Sequence, residues 1–146
     1  MSEVIKIKYH DPELIKIEKI GGKKSDWYDL RAGEDVHMAK GDYRLISLQI
    51  SVQIPEGYEM IIAPRSSTFK HFGILMANSI GILDEEFNSD EDIVMFPALA
   101  MRDTEIHKND RICQFRIQKH QPEIEFVEVE TLGNESRGGF GSTGIQ

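Results

Sequence analysis

The chain is almost without cysteine: Cys113 stands alone among 146 residues. A single thiol excludes an internal disulfide and fits a reducing compartment. No apolar run approaches the roughly 18 residues that a membrane-spanning helix requires. Val4-Ile5-Lys6-Ile7-Lys8 is broken by charge at alternate positions, which excludes a secretory signal there. The expected location is cytoplasmic. The five histidines show no metal-ligand spacing with Cys113, so no structural zinc site is expected. Cys113 itself falls in an apolar strand pattern, the place of a small buried side chain rather than a catalytic thiol. Basic residues are also short: 17 Lys and Arg face 25 Asp and Glu, a net charge of −8. Binders of nucleic-acid polymers usually display a basic face, so that class is excluded. A small phosphate ester is not, because a few local cations and Mg²⁺ suffice for it. There is no internal repeat and no linker, and the length suits one domain.

What is present is a period of two. Ile46, Leu48, Ile50, Val52 and Ile54 alternate with Ser47, Gln49, Ser51 and Gln53, which predicts one half-buried strand between Arg44 and Pro55. Ile5, Ile7 and Tyr9 alternate with Lys6 and Lys8, and Cys113, Phe115 and Ile117 with Gln114, Arg116 and Gln118. In Ile124-Glu125-Phe126-Val127-Glu128-Val129 the apolar phase slips by one residue, which predicts a strand with a β-bulge. Turn residues punctuate these runs at Gly21-Gly22, Lys40-Gly41-Asp42, Pro55-Glu56-Gly57 and Lys108-Asn109-Asp110. Short strands so separated predict an all-β sandwich or barrel. Only Ser66 to Phe72 reads as helix, capped by Ser66 or Ser67. After Leu132 the composition shifts to glycine and small polar residues. The reading is a β-domain over 1–132 and a mobile Gly-rich arm over 133–146.

Five segments carry candidate chemistry. Arg137-Gly138-Gly139-Phe140-Gly141-Ser142-Thr143-Gly144 holds too many glycines to pack as a core element. Its formal match to a dinucleotide-binding glycine pattern is rejected, because no helix follows it. It is either a disordered tail or an arm that folds over a phosphorylated aromatic ligand, with Arg137 pairing an oxyanion and Phe140 stacking on the base. Ala63-Pro64-Arg65-Ser66-Ser67-Thr68 ends a strand and opens a helix, and is either a phosphate cradle or a capped helix with a surface Arg. In Asn78-Ser79-Ile80-Gly81-Ile82-Leu83-Asp84, Asp84 closes an apolar hairpin. It is either a turn residue or a base that deprotonates a water. Glu85, Glu86, Asp90, Glu91 and Asp92 after it read as a solvated charge run. Asp29, in Trp27-Tyr28-Asp29-Leu30, either serves a hydrated metal ion or ends a strand. Gln114, in Asp110-Arg111-Ile112-Cys113-Gln114, has no clear role alone.

Taken in order, these five segments resemble the five motifs of the trimeric dUTPase family, from about Ser25 to Gly144. The spellings look closest to dUTPases of some Gram-positive bacteria and their prophages. The resemblance implies a jelly-roll domain with one short helix and a flexible C-terminal arm, assembled as a homotrimer whose active sites draw on all three chains. It implies hydrolysis of dUTP to dUMP and pyrophosphate, with Asp84 as general base toward the α-phosphorus. Arg65, Ser66, Gln114, Arg137, Ser142 and Thr143 would hold the triphosphate, with Ser67 and Gly141 also binding substrate. Asp29 would serve Mg²⁺ through water while the phosphates chelate the ion. The hairpin residues Asn78, Gly81, Ile82 and Leu83 would read uracil through the backbone, Phe87 would lie under the deoxyribose, and Phe140 would cover the base.

Four positions depart from the family pattern. Asp26-Trp27 stands where a small residue and Gly precede the first motif's aromatic, and Ser67 stands where Gly is frequent. Phe87 replaces a Tyr, and Cys113 an Ala. None removes a charge that the mechanism needs. Two alternatives stay open: a dCTP deaminase of the same fold, and a prophage dUTPase that also binds a repressor protein.

Overall fold

The computed structural model describes residues 2–19 and 25–138. The strands are β1 (Lys6–Tyr9), β2 (Tyr28–Arg31), β3 (Val36–Met38), β4 (Tyr43–Ser47), β5 (Ile50–Gln53), β6 (Tyr58–Pro64), β7 (Ile74–Met76), β8 (Gly81–Leu83), β9 (Met95–Ala100), β10 (Thr104–Ile106) and β11 (Arg111–Lys119). One helix, α1 (Thr68–Phe72), lies between β6 and β7. Every paired strand runs antiparallel to its neighbour. The main sheet has the order β2-β11-β6-β8 and a second sheet the order β4-β9-β7, with β1-β5 and β10-β3 as two-stranded pairs. The all-β expectation holds. Among the described residues the strands form a sandwich and not a closed barrel.

Both faces of the sandwich feed one core. Leu30, Met60, Ile62 and Phe115 come from the main sheet, Ile46, Phe96 and Ile74 from the second, and Ile50 and Val52 from β5. Phe96 is fully enclosed. Truncating an enclosed aromatic ring removes its transfer energy and leaves a cavity. Phe96→Ala is therefore expected to cost about 3–5 kcal/mol, read as a lowered urea midpoint in equilibrium unfolding.

The turns form as their residues dictate. Gly41 and Gly57 sit at φ 91° and 85°, and Asn109 at 76°, three left-handed positions at the sites the sequence marks. Gly21-Gly22 lies outside the described residues. The helix begins two residues later than the sequence suggests. Ser67 holds the N-cap position but makes no side-chain cap bond. Thr68 takes over the local polar work: its Oγ1 accepts from the Arg65 N–H at 2.7 Å and donates to the Ile112 carbonyl at 2.9 Å. The helix ends at Gly73, left-handed at φ 65°, where a Cβ would collide with the Arg102 side chain.

Two strand expectations are corrected. The run from Arg44 to Pro55 is not one strand: β4 pairs with β9, the chain breaks at Leu48-Gln49 with Gln49 at φ 54°, and β5 pairs with β1. The alternation passes through the break unchanged, because both layers bury the same core. Residues 124–129 form neither strand nor bulge. They carry no regular structure, with Phe126 92% exposed and Ile124, Val127 and Val129 also out. A strand needs a ladder partner, and none of the described residues supplies one.

Candidate active site

The register of the main sheet assembles the first cluster. Gln114 on β11 faces Asp29 on β2 to one side and Ala63 on β6 to the other. A register shift between Arg111 and Cys113 turns Ile112 fully inward and leaves Arg111 beside Asp29. Asp29 then pairs with two guanidiniums: it accepts a hydrogen bond from Arg111 Nη1 at 3.3 Å and forms an ion pair with Arg65 Nε at 3.1 Å. Arg65 also donates from Nη1 to the Arg111 carbonyl at 3.2 Å. Gln114 Nε2 donates to the Pro64 carbonyl at 3.1 Å and keeps a second hydrogen to offer.

One carboxylate against two guanidiniums leaves a positive charge over, in a protein of net −8. Asp29 is only 15% exposed, so the pairing holds both arginines in fixed positions better than surface ion pairs do. Ser66 is exposed at the lip of this cluster and Ser67 half-buried beside it. The arrangement suits an anion with several oxygens. Cys113 lies beneath it, fully buried, and burial pushes its thiol up, with the Asp29 carboxylate adding in the same direction and Arg65 opposing. A thiol so held stays protonated and unreactive.

The second cluster lies on the edge strand. Because β8 pairs only with β6, alternate backbone N–H and C=O groups of Gly81, Ile82 and Leu83 face away from the sheet. The hairpin before it is built on Ser79 at φ 65°, with the Ser79 N–H donating to the Met76 carbonyl and the Ile80 N–H to the Asn78 carbonyl. Asp84 follows, exposed. Its Oδ1 accepts from the Glu86 N–H at 2.9 Å, and its carbonyl from the Phe87 N–H at 3.1 Å. The turn orients the carboxylate, and Asp84 lines an open depression with Ile82, Leu83, Glu86, Phe87 and Asp92. Phe87 packs one side of its ring on the core.

The two clusters are apart within one chain. Leu83 faces Met60, so Asp84 lies level with Glu59, six residue steps along β6 from Arg65. At ~3.3 Å per step that is about 20 Å. Arg137 is exposed, and Phe140, Gly141, Ser142 and Thr143 lie outside the described residues. Sequence reasoning had no role for Arg111 or Thr68. Arg111 carries no signal in the strand period, because the irregularity that aims it is visible only in the ladder. Thr68 stood in the sequence as one of three adjacent hydroxyls.

No group of three His, Cys, Asp or Glu able to hold a metal occurs among the described residues. No helix among them is long and apolar enough to cross a membrane. The fold and the two clusters define a β-sandwich of the jelly-roll kind, with an anion cradle at one end of its main sheet and a carboxylate on an apolar edge.

Comparison with known proteins narrows that class. The dUTPase family profile matches residues 15–144. The SPbeta prophage-derived deoxyuridine 5'-triphosphate nucleotidohydrolase of Bacillus subtilis is 51% identical over 97% of this chain and 99% of its own length. The deoxyuridine 5'-triphosphate nucleotidohydrolase of Finegoldia magna is 38% identical over 82% of this chain and 85% of its own. The chain belongs to the dUTPase family. In fold it matches a dUTPase of Staphylococcus bacteriophage 80alpha, with TM-score 0.78, 19% identity, and coverage of 99% of this chain and 100% of that one. The dUTPase of phage phi11 of S. aureus matches with TM-score 0.75 at 16% identity, over 88% of this chain and 99% of that one. These relatives are nucleotidohydrolases, so the deaminase alternative is not favoured.

Proposed function

We propose that the chain hydrolyses dUTP to dUMP and pyrophosphate, with Asp84 activating a water for in-line attack on the α-phosphorus. The observation that carries this reading is the guanidinium pair fixed on Asp29. A triphosphate brings about four negative charges, and such displacements depend on positioning and charge neutralisation. Arg65, Ser66 and Gln114 hold the phosphates, Arg137, Ser142 and Thr143 of the arm add to them on closure, and Ser67 and Gly141 also bind substrate. Uracil pairs with the outward backbone of Asn78, Gly81, Ile82 and Leu83. The sugar rests on Phe87 and the base under Phe140.

Magnesium fits as an ion chelated by the substrate. The carboxylate of Asp29 is already committed to two guanidiniums, which suits contact through water rather than direct ligation. When bound, Mg²⁺ would neutralise phosphate charge as the α-phosphorus is attacked.

The assembly is a homotrimer with shared sites. The separation of about 20 Å between Asp84 and Arg65 in one chain supports this, since a single chain leaves its base far from its phosphate cradle. The exposed residues 120–132 support it too, with Phe126 and Leu132 at 92% and 84% exposure. A groove of about 500 Å³ beside β1, lined by Ile5, Ile7, Ile17, Tyr28, Phe115 and Ile117, is suited to take such a segment from a second copy. The outer face of the β4-β9-β7 sheet leaves Tyr43, Leu45, Leu75 and Met95 uncovered as well.

The test is pyrophosphate release with Mg²⁺ from dUTP, dTTP, dCTP and UTP in parallel. Release from dUTP alone is expected. Ammonia from dCTP, or equal turnover of all four, would overturn the assignment.

A further inference from the structure

Asp84 has a problem of support. It is exposed, and among the described residues its polar contacts all come from its own turn. A carboxylate that must hold water in line with a phosphorus needs its backbone fixed from outside, since an error near 1 Å costs about a hundredfold. The neighbouring residue makes that attachment. Glu85 is the corner of the Asp84–Phe87 turn, and its Oε1 accepts from the Gly57 N–H at 2.8 Å. His120 Nε2 faces the same oxygen at 3.3 Å, and the His120 N–H donates to the Gly57 carbonyl at 3.1 Å. One side chain thus joins three points: the turn of the base, the β5–β6 turn, and the residue that follows β11. The sequence placed Glu85 in a solvated charge run. The structure takes it out of that run.

We infer that Glu85 is a positioning residue for the hydrolysis, holding the Asp84 turn in register through the Gly57 N–H. The inference rests on the dUTP reading of the preceding subsection. Of its two contacts the backbone one dominates. It is a charge-assisted bond to a rigid turn, whereas the His120 pair is 53% and 38% exposed and weak for that reason. The far end of the loop is tethered separately, by the Ser51 hydroxyl donating to the Asp90 carbonyl at 3.2 Å and by Lys8 to Asp90 at 3.2 Å. Loss of Glu85 therefore frees the base without releasing the whole loop. Glu85 touches no reacting atom. Its effect passes through Asp84 and falls on turnover, not on binding.

The experiment measures kcat and KM for dUTP, affinity for a non-hydrolysable dUTP analogue, and the thermal midpoint, using the full chain. Glu85→Ala is expected to lower kcat by roughly 10- to 100-fold while analogue affinity stays within about twofold. Glu85→Gln keeps an oxygen for Gly57 and should restore most of the lost rate. Lys8→Ala, at the other tether, should leave kcat unchanged. Should Glu85→Ala fail to fold, Glu85→Asp, too short to reach Gly57, takes its place beside Glu85→Gln. Wild-type kcat in the short variant sinks the inference, as does a loss of analogue affinity equal to the loss of rate. Equal damage from Ala and Gln sinks it too. Absence of dUTP hydrolysis by the unaltered chain would instead sink the functional reading itself.

Discussion

Asp84→Asn is expected to bind a dUTP analogue as the unaltered protein does and to turn dUTP over about a thousandfold more slowly. That factor corresponds to about 4 kcal/mol of barrier. The substitution is isosteric, and the amide oxygen can still accept from the Glu86 N–H that orients the side chain. The turn therefore keeps its shape while the group loses its ability to take a proton. A steady-state assay with a binding measurement separates the two effects. Turnover within a few-fold of wild type would remove Asp84 from the chemistry. Loss of binding in proportion would make it a structural turn residue.

Ending the chain after Asn134 is expected to leave folding intact and to lower kcat/KM at least about a hundredfold. Residues 133–138 are exposed and contribute nothing to the core. The unfolding midpoint should therefore not move. The proposed arm supplies Arg137 and Phe140 after substrate has bound, closing the site to water. Interactions made late favour the transition state over the ground state. Circular dichroism through a urea titration and a pyrophosphate assay on the same preparation make the comparison. If truncation unfolds the protein, the arm is structural and the closure reading fails.

The separation of these two effects follows from how the site is built. The proposed phosphate cradle lies at one end of the four-stranded sheet, where ladder register places Asp29 on β2 and Arg111 on β11, and Arg65 follows the end of β6. The proposed base, Asp84, follows the short edge strand β8, and Arg137 lies beyond β11, the last strand among the described residues. Under the proposed roles, substitutions in the cradle are expected to act on binding and local packing together, and those at Asp84 and in the arm on turnover.

Some of this was legible without coordinates. The alternation around Cys113 and Phe115 identifies their buried face, and turn residues such as Gly41, Gly57 and Asn109 mark left-handed corners. Asp29, Arg65, Gln114 and Asp84 carried little signal singly and were marked only by the order of the five motifs. Other features were not legible. The break at Leu48-Gln49 keeps the apolar phase, so a change of sheet leaves no trace in the pattern. Residues 124–129 carry a strand pattern without a strand in the chain itself, because their apolar side chains have no partner among the described residues. Glu85 looked like its acidic neighbours until Gly57 and His120 were found beside it.

By itself, then, the amino-acid order determined which side chains turn inward, where the chain can reverse, and which residues carry charge. Those are local properties, set by the two-residue period of a strand and by the backbone freedom of glycine and asparagine. Tertiary structure alone decided which strands share a ladder, that Asp29 binds two arginines, and that Asp84 lies about 20 Å from Arg65 in its own chain. Pairing joins residues remote in sequence, and it is chosen by what the whole core can bury together, which no short window of sequence contains.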